Sequence, residues 1–222
     1  MESAIPMREV PPGQGWRWIV DGYQLFRQQK LAWVLMGIAY LAISVLCSLF
    51  ATIGQALLTV SMPLFTSGYL LAASKQHRGE TVKASDLFLG WKLRLREMAS
   101  YCLLMLPIVC ASQYITHHMI ESSGAQHQLL ILGQVLLVLF GIACMFVVSL
   151  ITFKQIKLWP ALKLSVSAVQ KNWCPLLVYF LAILLLAMLS VFTLGLALLV
   201  LFPVIYLSQY MAWRDIFSSD AL

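Results

Sequence analysis

Residues 31–78 read LAWVLMGIAYLAISVLCSLFATIGQALLTVSMPLFTSGYLLAASKQHR. Two uncharged runs, 31–50 and 53–74, meet at a minimal turn around Ala51-Thr52-Ile53-Gly54, and the nearest cations are Lys30 before them and Lys75 and Arg78 after them. An uncharged helix of about 20 residues crosses the roughly 30 Å hydrocarbon core of a bilayer at about 1.5 Å per residue. The stretch therefore reads as a transmembrane hairpin with all of its positive charge at one end.

The rest of the chain repeats this pattern. Further uncharged runs occupy roughly 98–120, 129–153, 173–192 and 196–213. All 15 Lys and Arg residues fall in alternate gaps: Arg8, Arg17, Arg27 and Lys30 in the first, Lys75, Arg78, Lys83, Lys92, Arg94 and Arg96 in the third, Lys154, Lys157, Lys163 and Lys171 in the fifth, and Arg214 in the tail. Lys and Arg are retained on the cytoplasmic side, so both termini are expected there. The composition agrees: 61% of the 222 residues are hydrophobic and 11% charged, against about 25% charged in soluble domains. Six spans leave no room for a separate soluble domain. The net charge of +6 lies beside the spans, where anionic lipid headgroups are the nearest partner, and no nucleic-acid partner is expected. Acidic Glu2, Glu9 and Asp21 and the length of the first run argue against a cleavable signal peptide. The five cysteines, Cys47, Cys102, Cys110, Cys144 and Cys174, lie in or beside apolar runs without a CxxC, so neither a disulfide framework nor a metal knuckle is expected.

Before each hairpin stands an amphipathic segment. At about 15–30, Trp16, Ile19, Val20, Tyr23 and Phe26 recur at helical spacing. At about 85–97 the apolar face is Leu87, Phe88, Trp91, Leu95 and Met98, and after Trp159-Pro160 it is Trp159, Leu162, Val166, Val169 and Trp173. Apolar faces flanked by cations, with aromatics at the rim, suit the headgroup layer. The expected fold is an all-α polytopic membrane protein with six transmembrane helices as three hairpins, each preceded by a cytoplasmic amphipathic interfacial helix. Residues 1–14 read as a flexible cytoplasmic lead, 15–217 as a single membrane domain with repeat-like units at about 15–74, 85–153 and 158–213, and 218–222 as a cytoplasmic tail.

The segment 9–30, EVPPGQGWRWIVDGYQLFRQQK, carries Val10-Pro11, Gly15-Trp16 and Gly22-Tyr23-Gln24-Leu25-Phe26; Pro63 and the closing Trp213-Arg214-Asp215-Ile216-Phe217 complete the set. With these motifs, over nearly its whole length, the chain resembles a family of small six-span proteobacterial inner-membrane proteins of uncharacterised function. Its layout is similar to the membrane domains attached to some glycerophosphodiester phosphodiesterases, but no catalytic domain accompanies it here. The resemblance implies a multi-pass protein of the bacterial inner membrane and no particular activity.

No Asp, Glu, Lys, Arg or His lies near the centre of any run. Charges inside a membrane are costly and mark relays and sensors, so proton-relay carriers, voltage sensors and intramembrane metalloproteases are disfavoured. Phosphate loops, nucleophile elbows and dinucleotide fingerprints do not occur. The chain is read as a non-enzyme that needs no cofactor. His117, His118 and Glu121, with His127 nearby, form the one cluster with ligand chemistry; a solvated polar loop is the better reading, and no metal is expected. Among the polar residues of the spans, Gln55, Gln113 and Gln134 stand out, either as interhelical hydrogen bonds worth about 0.6–2 kcal/mol or as the lining of a passage. Lipid- or partner-facing candidates are Trp16, Arg17, Arg27, Lys30, Lys92, Arg94, Arg96, Lys163 and Lys171. The favoured role is a non-catalytic one, through anionic lipid headgroups or a protein partner, in envelope organisation, assembly or regulation. The alternative is a carrier or channel for a small neutral or amphiphilic solute.

Overall fold

The computed structural model describes residues 6–92, 95–119, 122–193 and 195–217, apart from the side chains of 51–53 and 55. Helices α1 (Gln14–Gln28), α2 (Lys30–Ser48) and α3 (Ala51–His77) are followed by a 3₁₀ helix, Ala84–Lys92. Then come α4 (Leu95–Met119), α5 (Gly124–Ala143), α6 (Val147–Lys154), α7 (Leu158–Lys171), α8 (Trp173–Ser190), a short 3₁₀ turn, and α9 (Leu198–Phe217). No strand occurs among the described residues. Five helical stretches are long and apolar enough to cross a membrane: Lys30–Ser48, Ala56–His77, Leu95–Met119, Gly124–Lys154 and Trp173–Thr193. Helix α9 has 20 residues, but its last turns carry Ser208, Gln209, Arg214 and Asp215.

Two local boundaries differ from the sequence reading. Leu49 and Phe50 make the first turn, since α3 already begins at Ala51. Gly54 lies inside α3, where a Cβ would fall 1.7 Å from the Cys47 carbonyl oxygen, so the hairpin closes tightly only with glycine there. The fourth run is interrupted: α5 ends at Ala143, and Cys144, Met145 and Phe146 separate it from α6.

Burial is strongly polarised. The core is built from the C-terminal half of α3, α6, the C-terminal two-thirds of α9, and α1. Trp33, Met36 and Gly37 of α2, Met98, Tyr101 and Cys102 of α4, and Pro175, Leu176 and Tyr179 of α8 complete it, all at the end that carries the cations. Helix α5 buries none of its described residues. Toward the opposite end few described residues are buried: Gly54 and Ser190 beside the far turns, and Leu201 and Pro203 in the first turns of α9. The packed half is a jigsaw of rings, with Tyr69 stacked on Tyr206 at 4.4 Å and edge-on to Phe202 at 5.7 Å. In the other half the hairpins splay and turn apolar faces outward, an arrangement suited to lipid rather than water.

The three short elements follow one rule. Helix α1 packs chiefly on α9 and α8, the 3₁₀ helix on α3 and α2, and α7 on α6, α5 and α4. Each element thus sits on the hairpin that precedes it, and the first closes the ring by sitting on the last. Small residues form these docking faces. A Cβ on Gly15 would lie 2.1 Å from the Pro175 carbonyl oxygen, and one on Gly22 would lie 2.8 Å from the Ser208 nitrogen. The same holds for Gly68 against Leu87 O and for Gly90 against Leu64 O, each at 2.1 Å. In α7 the buried face is Ala161, Ser165 and Ala168.

The buried faces are consequently rotated away from the expected apolar stripes. Helix α1 buries Gly15, Trp18, Ile19, Gly22, Leu25 and Phe26, sharing only Ile19 and Phe26 with the expected set. Trp16, Tyr23, Phe88, Trp91, Trp159 and Trp173 instead point outward, between 41% and 70% exposed. Within the expected lead, the Arg8 amide donates to Ile216 O at 2.9 Å and the Val10 amide to Asn172 Oδ1 at 2.9 Å, so 8–10 is tied to both ends of the last hairpin.

Gly22→Leu is expected to lower the unfolding midpoint in detergent, since overpacking typically costs about 1–3 kcal/mol. Gly37→Ala, where a Cβ meets nothing within 4 Å, should be neutral or stabilising by up to about 1 kcal/mol through helix propensity. Equal thermal shifts for the two variants would contradict the docking geometry.

Candidate functional site

The basic end combines a polar lock and an outward rim. In the lock, the Asp215 carboxylate accepts from Gln14 Nε2 at 2.7 Å and from Trp18 Nε1 at 2.8 Å, fixing α1 to α9. Buried Gln76 accepts from Trp33 Nε1 at 2.5 Å and donates to Leu25 O at 2.6 Å, joining α1, α2 and α3. Asn172, fully buried at the junction of α7 and α8, donates to Arg8 O and Ala168 O, both at 3.1 Å. Lys75 pairs with Asp86 at 3.0 Å, and Asp86 also accepts the Lys83 amide at 2.9 Å, which caps the 3₁₀ helix. The Glu97 carboxylate accepts the Leu158 amide at 3.1 Å and so caps α7 from α4.

The rim carries the residues expected to meet lipid or a partner. Trp16, Arg17, Arg27, Lys30, Lys92, Arg96, Lys163 and Lys171 are all exposed, and Arg94 lies outside the described residues. Lys154 sits 6.0 Å above the Trp213 ring, within reach of a cation–π contact. Arg214 meets the His77 ring, which lies against Tyr210.

Burial pushes the Asp21 carboxyl above its usual range, the Asp215 charge adds to this, and Arg214 and Arg17 oppose it. Ionised Asp21 is therefore less well accommodated by the fold than the neutral acid.

A second feature is a cleft of about 380 Å³ walled by α3, α4, α9 and the α5–α6 break, with Pro63, Thr66, Tyr101, Met145, Tyr206 and Gln209 among its lining. At the break, Ser165 Oγ donates to Ala143 O at 2.7 Å and accepts the Phe146 amide at 3.1 Å. Gln209 Nε2 donates to Met145 O at 2.9 Å. Interrupted helices at membrane depth persist where neighbours satisfy the freed backbone groups or where they line a cavity, and both conditions hold here.

The expected interior amides do not meet at this cleft. Gln113 is exposed, and Gln134 makes a reciprocal hydrogen bond with Ser112 across the α4–α5 hairpin at 3.0 and 3.3 Å. The Gln55 side chain lies outside the described residues. Half-buried Gln209 takes their place, held by its bond to Met145 O; nothing local in the sequence sets it apart from the other amides of the runs. The His117 and His118 rings stand 5.2 Å apart, Glu121 lies outside the described residues, and His127 faces Ser122 at 3.1 Å. Among the described residues no three His, Cys, Asp or Glu side chains come together. No protein-family model, curated protein or solved structure matches the chain.

A folded-state pKa raised above the ordinary 3.8 gives Asp21 a contribution present below that value and lost as pH rises through the raised one. Asp21→Asn should therefore gain stability relative to the parent as pH rises above about 4, read as the difference in unfolding midpoint in detergent. A pH-independent difference would contradict the assignment.

Proposed function

We propose that this chain is a bacterial inner-membrane protein with six spans, α9 being the sixth, and with both termini in the cytoplasm. It acts without catalysis, through anionic lipid headgroups gathered by a basic collar at the cytoplasmic face, and through a protein partner held at the same face, in envelope organisation, assembly or regulation. One observation carries this reading: all three short elements dock through small residues and turn aromatic side chains outward, Trp16 and Tyr23 on α1, Phe88 and Trp91 on the 3₁₀ helix and Trp159 on α7, with Trp173 at the start of α8. Trp and Tyr at the headgroup level anchor a membrane protein in depth. Exposed cations near an anionic leaflet each contribute about 1 kcal/mol. With α1, the 3₁₀ helix and α7 as three sides of a ring, that charge surrounds the bundle.

A second reading, a carrier for a small neutral or amphiphilic solute, is favoured by the cleft beside the α5–α6 break. Its size and its mostly apolar wall with a few polar groups match those of small-molecule sites.

The test is native mass spectrometry of protein extracted gently from its own membrane, comparing the parent with the Arg96→Gln/Lys163→Gln/Lys171→Gln variant. At about 1 kcal/mol per charge, anionic lipid retained relative to zwitterionic lipid should fall about fivefold for each cation removed. An unchanged lipid ratio would count against the collar.

A further inference from the structure

The cleft between α3, α4 and α9 is lined by a phenol and an amide whose oxygens bond none of the described residues. Tyr101 lines it and is only 8% exposed, yet its hydroxyl has no hydrogen-bond partner among the described residues. Gln209 commits its Nε2 to Met145 O, which leaves its Oε1 available as an acceptor. The other phenol of the wall is already satisfied, Tyr206 being bonded to the Thr66 side chain. Among the described residues no charged side chain lines the cleft. Met62, Met105 and Met145 supply flexible, polarisable walls, which adapt to irregular hydrocarbon.

We propose that this cleft binds a neutral amphiphile whose polar end is a hydroxyl, the alcohol accepting from the Tyr101 phenol and donating to Gln209 Oε1 while its hydrocarbon runs past the methionines into the splayed half of the bundle. A hydroxyl can both accept from a phenol and donate to an amide oxygen. A carbonyl or an ether accepts but cannot donate, and a charged headgroup finds no counter-charge in the wall and carries the cost of desolvation. Away from the cations the helices leave many large apolar side chains exposed, such as Leu132, Leu136 and Leu139 of α5, a surface that suits a hydrocarbon chain. This inference deepens the second reading, because it names the ligand class of that cleft, but it rests on binding there and not on movement of the ligand.

The test uses the full-length protein in nanodiscs with two photoactivatable hydroxyl lipids, a diacylglycerol and a long-chain prenyl alcohol, and the methyl ether of each as control. Labelling is mapped by peptide mass spectrometry. Expected are adducts on α4 and α9 with at least one alcohol, weaker labelling by its ether, and about a tenfold loss of labelling in Tyr101→Phe, the ratio of one hydrogen bond. Because the Tyr101 hydroxyl bonds none of the described residues, Tyr101→Phe should unfold at the parent's temperature. Val109→Phe, which fills the cleft, should abolish labelling and serves as a second variant. Equal labelling by alcohol and ether, or undiminished labelling in both variants, would overturn the proposal, as would adducts confined to the outer faces of the hairpins. Binding without transfer of the alcohol between leaflets would remove the carrier reading and leave this one standing.

Discussion

The fold turns on close backbone contact at a few positions where a side chain would not fit. Gly15 and Gly22 let α1 reach the backbones of α8 and α9, and Gly68 and Gly90 let the 3₁₀ helix lie directly on α3. Without such contact the large side chains that these elements do bury, such as Trp18, Leu25 and Phe26 of α1, could not reach the neighbouring helices. With it, polar groups such as Asp215 and Gln76 come within hydrogen-bonding distance of the neighbouring element. Small residues at helix contacts replace the hydrophobic drive that lipid cannot supply, since lipid tails are as apolar as leucine.

The docking order has an architectural consequence. Because each short element sits on the hairpin before it, the first must sit on the last, and the N-terminal segment ends beside the end of α9. The core is therefore one continuous cluster around α3 and α9, concentrated toward the end that carries the cations. Packing, hydrogen bonding and charge all concentrate at that end, while the other halves of the hairpins expose mostly apolar side chains. The cleft lies at the border between the two regimes, where Pro63 and the α5–α6 break relax the regular helices.

Much of this was legible in the sequence. The uncharged stretches around 31–78 and their successors lie on long helices, and the amphipathic segments fall where short elements occur. The rotation of those elements was not legible from apolar spacing, because a stripe is found by its large residues. Packing against backbone instead selects Gly15, Gly22, Ala161, Ser165 and Ala168, and the large aromatics are displaced to the rim. Interior polarity was misplaced for a related reason. Gln113 and Gln134 stand in the middle of apolar runs and look buried, but the hairpin that carries them contributes almost nothing to the core, whereas Gln209 sits in the one helix packed on nearly all sides. Which helix is central depends on tertiary contacts that no local pattern encodes. Asn172 and Gln76 were overlooked because isolated polar residues at helix ends resemble ordinary caps until the chain that they hold is in place.

Ring closure is tested most directly by cross-linking α1 to the last hairpin. In a variant with the five native cysteines replaced, Gln14→Cys and Asp215→Cys are introduced together, at positions whose side chains are 2.7 Å apart, and native membranes are treated with a short thiol-reactive linker. The account predicts rapid cross-linking within a single chain, independent of expression level. Cross-links forming only between chains, or Gln14→Cys reacting instead with a cysteine placed on the first hairpin, would contradict it.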